Sequence, residues 1–102
     1  MAKDIFISQE YGWTAQFGLF EWAVEFLHGS ITDQETKTWL KTVLDENLGA
    51  VDLKSLPDQG RREILHTLRG DFVPAVNARF PNDPRTRGHL KVLTLMAKDT
   101  PD

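Results

Sequence analysis

A chain of 102 residues with 40% hydrophobic and 26% charged side chains fits one globular domain and leaves no room for a second core. It contains no cysteine, which excludes disulfides, thiolate metal sites and thiol catalysis. The net charge of −3 hides a division. Residues 1–53 carry three lysines against nine acids, whereas residues 54–102 carry nine basic residues, all six arginines among them, against six acids. Such asymmetry points to a charged partner or to halves that neutralise each other in the fold, and mutual neutralisation is the simpler expectation.

In chain order, Ile5-Phe6-Ile7 reads as a short strand or an extended arm over 1–8, with no signal-peptide pattern around it. From Trp13 the apolar residues Trp13, Phe17, Phe20, Val24 and Leu27 recur in steps of four and three, and Leu19, Trp22, Ala23 and Phe26 fill an adjoining stripe. The spacing predicts a helix over 13–27 with an apolar arc of about 220°, ended by Gly29. Thr14, Glu21, Glu25 and His28 share its narrow polar arc with Gly18, and the two acids exclude a membrane span.

Thr32-Asp33-Gln34-Glu35 fits a capping box opening a second helix with a narrow apolar stripe of Trp39, Leu40, Val43 and Leu44, ended at Asn47-Leu48-Gly49. Ala50-Val51-Asp52-Leu53 alternates weakly and can pair with Ile5–Ile7. A third helix starts at Ser55 or Leu56, ahead of Pro57, and carries Ile64, Leu65 and Leu68 up to Gly70. A fourth, shorter helix follows with Phe72, Val76 and Phe80, and after a turn at 81–84 Thr86 caps a last helix containing Leu90, Val92, Leu93, Leu95 and Met96. The tail 99–102 is expected to fray. The expected architecture is all-α: a single domain over 1–102, a bundle of four to five short helices with a minor N-terminal strand.

Candidate chemistry is sparse. Two E-x-x-H sequences, Glu25–His28 and Glu63–His66, have the spacing of a di-metal carboxylate site, yet the last helix supplies no further glutamate and both pairs read as solvated faces. No phosphate loop, nucleophile elbow, zinc helix or calcium loop is present, so no catalytic residue, resident metal or cofactor is expected. Ser8, Ser30 and Ser55 fall at helix starts or turns, where hydroxyls cap.

Two surfaces remain. Glu21, Glu25, Asp33, Glu35, Asp45 and Glu46 form an acidic first half, with Trp22 and Trp39 as aromatic anchors. Arg61, Arg62, Arg69, Arg85 and Arg87 form a cationic second half, placed near expected helix starts where free amides and guanidinium groups together suit an anion. The acidic surface leads to the expectation of a non-enzymatic protein-binding domain, of the inhibitor or toxin-neutralising (immunity) kind, meeting a basic-surfaced enzyme or toxin in the cytoplasm. A homodimer through the wide apolar arc is a variant of this expectation. The arginines supply the rival, an anion or nucleic-acid binder, which overall acidity disfavours.

Overall fold

The computed structural model describes residues 2–102, apart from the Phe17 side chain. The elements run β1 (Ala2–Phe6), β2 (Gly12–Gln16), α1 (Phe17–Ser30), α2 (Gln34–Asp45), β3 (Ala50–Asp52), a 3-10 turn at Leu53–Ser55, α3 (Asp58–Arg69), α4 (Phe72–Arg79) and α5 (Pro84–Lys98). The expected pairing of Ile5–Ile7 with Ala50–Leu53 is present as a parallel ladder that sets Asp4, Ile5 and Phe6 against Ala50, Val51 and Asp52. With β2 added, the sheet has three strands in the order β2-β1-β3. Among the described residues the fold is thus 63% helical, with five helices and a small sheet, and the all-α expectation is corrected to that extent.

The correction falls at Trp13, expected to open the first helix. Residues 12–16 alternate: Trp13 and Ala15 are buried while Gly12, Thr14 and Gln16 are exposed, which is strand periodicity. The four-residue step from Trp13 to Phe17 imitates a helical repeat across the junction. Helix α1 starts without a capping side chain at Gln16, so no sequence signal marks its first turn. Phe17 belongs to the expected stripe, but its side chain lies outside the described residues.

From Phe20 onward the expected faces of α1 hold. Phe20, Ala23, Val24 and Leu27 are fully buried. Trp22 and Phe26, on the second stripe, pack against Phe72 of α4, with ring centroids 5.8 and 5.7 Å away. The broad apolar arc is therefore met by this chain's own sheet and helices.

Three helix starts also shift. In α2 the cap is Asp33, whose carboxylate accepts from the Thr36 amide (3.1 Å) and hydroxyl (2.6 Å), and Glu35 takes no part. In α5 the cap is Asp83, accepting from Thr86 N (3.0 Å) and Oγ1 (2.7 Å), so Thr86 donates to a cap instead of being one. Both are Asp-x-x-Thr sequences, and a carboxylate is the stronger acceptor for a free amide. Ser55 ends the 3-10 turn, and α3 begins after Pro57, whose extended backbone precedes Asp58.

Helices α2 and α3 meet at Gly60 and Thr36, both buried. A Cβ on Gly60 would stand 1.8 Å from Thr36 Oγ1 and 2.5 Å from its Cβ, so only hydrogen fits there. Gly60→Ala is expected to force the helices apart and to destabilise the fold by about 1–3 kcal/mol. Urea unfolding checks this, and an unchanged midpoint would show that the contact is not tight in solution.

Candidate partner-binding site on α2

The two faces of α2 are set by what lies behind it. Thr36, Leu40 and Val43 are buried against the core. At about 100° per residue, Glu35, Trp39, Thr42 and Glu46 fall within about 60° on the outer side, and Lys37 and Lys41 lie roughly opposite them. Both lysines are engaged there. Lys37 Nζ donates to the carbonyls of His28 (2.7 Å) and Ile31 (3.4 Å), and Lys41 pairs with Asp45 at 3.5 Å. The glutamates on either side of Trp39 form no ion pair among the described residues.

Trp39 is 41% exposed, one of three large apolar side chains left so open among the described residues. Its ring borders a cleft of about 440 Å³ whose other walls are Glu35, Thr38 and Thr42 of α2 and Ser55, Leu56 and Pro57 of the following connection. Leu56 is buried at its base and Pro57 partly covered, giving an apolar floor beneath a hydroxyl and carboxylate rim. Sequence inspection picked out Glu35 and Trp39 but missed Thr38, Thr42 and the 55–57 segment. A helical wheel drawn from Glu35 would have found Thr42. The 55–57 wall depends on the tertiary path of the chain.

Trp22, the other expected anchor, is placed differently. Its ring lies 5.8 Å from Phe26, 5.8 Å from Phe72 and 5.4 Å from Phe80, a half-buried packing cluster that shows only one side beside Leu19 and Arg79. Glu21 and Glu25 sit on the outer arc of α1 and do not line the Trp39 cleft. Asp33 is engaged as the cap of α2 and Asp45 by Lys41.

The five arginines do not converge on one site. Arg69 donates to Ala97 O (2.9 Å), Thr100 O (2.6 Å) and the Asp102 carboxylate (2.6 Å), tying the 99–102 tail to α3. Arg87 donates to Phe80 O and Pro81 O, both at 2.7 Å. Arg61 lies 3.9 Å from Asp58. Arg62 borders a separate polar cleft with Gln59, Glu63 and His66, and Arg85 is exposed in the first turn of α5.

Glu63, expected on a solvated face, reaches across to the start of α2. Its carboxylate accepts from the Thr32 hydroxyl (2.5 Å) and from the amides of Thr32 (3.1 Å) and Asp33 (2.9 Å). The Thr32 hydroxyl above all, then the Asp33 amide, hold its carboxyl below the usual glutamate range. This replaces the metal-ligand role that the E-x-x-H spacing suggested. Among the described residues no group of three or more His, Asp or Glu side chains is arranged to hold a metal ion. Nor is any helix among them long and apolar enough to cross a membrane.

No family model, curated protein or solved structure matches this chain.

The Glu63 arrangement makes acid stability testable. A carboxyl whose folded pKa is lowered adds stability above its unfolded value, near 4.3, and that contribution disappears as pH falls through the folded value. Glu63→Gln is expected to be less stable than the parent at pH 7, with the gap closed at an acid pH below the folded value. Urea midpoints at the two pH values measure it, and a gap that persists in acid would mean that the ionised carboxylate is not what matters.

Proposed function

We propose that this chain is a non-enzymatic protein-binding domain, of the inhibitor or neutralising kind, whose α2 face docks onto a basic-surfaced protein. The observation that carries this reading is the stripe Glu35–Trp39–Thr42–Glu46, in which a 41% exposed indole lies between two carboxylates that have no ion-pair partner among the described residues. A large amphipathic ring beside a cleft is the chemistry of an interface anchor. Flanking acids with no cation of their own speed encounter with a cationic surface and fix its register. Glu35 and Glu46 stand about 16 Å apart along the helix, far enough to meet two separate cations of the partner.

The arginine-based rival draws less support, because Arg69 and Arg87 are bonded to main-chain carbonyls. An acidic face of this kind suits the blocking of an enzyme with a cationic cleft, a nuclease-like toxin being one such enzyme.

The test is affinity capture from the native host with three baits: the parent, Trp39→Ala and Glu35→Lys/Glu46→Lys. The substitutions are on exposed positions, so unfolding temperatures are expected to change little. The expected result is a basic protein held by the parent, released by moderate salt and lost from both variants. Retention of the same proteins by all three baits would overturn the proposal.

A further inference from the structure

We infer that the Trp39 cleft is a receptor for an arginine side chain of the partner; this rests on the docking reading above and specifies its chemistry. Three features of the cleft converge on a guanidinium group. First, Trp39 is 41% exposed and lines the cleft, and a flat, weakly hydrated cation stacks on an indole more favourably than a compact ammonium does. Second, Glu35 precedes Trp39 by one helical turn, lines the same cleft and has no ion-pair partner among the described residues, so its carboxylate can take two parallel N–H donors from the edge of the stacked cation.

Third, the rim carries hydroxyls at Thr38, Thr42 and Ser55, and the floor is the apolar surface of Leu56 and Pro57. An arginine has five N–H donors above a three-carbon stem. The hydroxyl oxygens can accept from donors the carboxylate does not reach, and the stem lies on the apolar floor. The cleft, at about 440 Å³, is large enough for one such side chain and its backbone. The cations of α2 do not compete for the place: Lys37 is bonded to His28 O and Ile31 O, and Lys41 to Asp45.

Proton–nitrogen NMR of the intact chain tests this directly. Its three tryptophans provide three indole N–H signals, and Trp39→Phe assigns the one that matters. The probes are acetyl-Gly-Arg-Gly-amide and the same peptide with citrulline, a neutral isostere, or lysine in place of arginine. The arginine peptide is expected to shift the Trp39 indole signal at millimolar concentration, the citrulline peptide to leave it in place, and the lysine peptide to bind more weakly. Glu35→Gln, an exposed change that should leave the spectrum dispersed, is expected to weaken arginine-peptide binding about tenfold.

An arginine peptide that leaves Trp39 unmoved, or acts no more strongly than citrulline or lysine, overturns the inference. The docking reading fails separately. If a host protein is captured in a Trp39-dependent way while the arginine peptide has no effect, the surface docks by other means and only the guanidinium assignment is wrong. If the peptide binds as described and no captured protein depends on Trp39, the docking reading alone is lost.

Discussion

The placement of α2 depends on a contact with no room for a methyl group. Gly60 of α3 abuts the Thr36 side chain, and one turn further along α3, on the same side, Glu63 closes over the amides that open α2. The two features reinforce each other. Close approach brings the Glu63 carboxylate within reach of the helix start, where the partial positive charge of the free amides favours it. With Thr36 held and Leu40 and Val43 buried, the rotation of α2 about its axis is fixed. Trp39 is then turned outward beside Leu56 and Pro57. The candidate site is therefore a consequence of how α2 and α3 pack, although neither Gly60 nor Glu63 borders it.

A second reciprocal contact holds the other end of the molecule. Trp13 of β2 donates its indole N–H to His89 O of α5 at 2.9 Å, and the His89 ring, stacked 5.1 Å from the indole, sets Nε2 2.7 Å from Thr14 O. The ladder explains why that carbonyl needs a donor. Ile7 N donates to Tyr11 O, so by alternation Thr14 falls at a position whose main chain faces away from β1. An open edge of that kind recruits foreign strands unless it is covered, and α5 covers it with one imidazole.

These contacts also mark the limit of what sequence patterns could reveal. Helices with a buried stripe and a polar remainder were legible: Ile64, Leu65 and Leu68 in α3 and Phe72 and Val76 in α4 are buried as their spacing requires. The start of α1 was not, because Trp13 serves a strand and Phe17 a helix while keeping a helical interval between them. The caps were misplaced by one residue at Asp33 and by three at Asp83, since Ser, Thr and Asp satisfy the same amides and local sequence does not rank them. Glu63 was read as solvated because its partners are about thirty residues upstream. The Trp39 site was half legible: its aromatic and acidic members share a helix, whereas Leu56 and Pro57 arrive by the turn of the chain.

Charge is where sequence and structure diverge most. The simpler expectation held that an acidic first half and a basic second half would cancel across their interface. The ion pairs Lys41–Asp45, Arg61–Asp58 and Arg69–Asp102 each join residues of the same half. The arginines with the most hydrogen bonds, Arg69 and Arg87, direct them mainly to carbonyls at the ends of helices α5 and α4, where positive charge complements the helix dipole. A guanidinium used in this way satisfies main-chain acceptors and leaves distant carboxylates as they were. Glu35 and Glu46 therefore stand beside an exposed indole with no ion pair among the described residues, while Lys37 and Lys41 of the same helix are engaged by main-chain carbonyls and by Asp45. An acidic surface left over in this manner costs little while water solvates it, and it gains most when a cationic surface displaces that water.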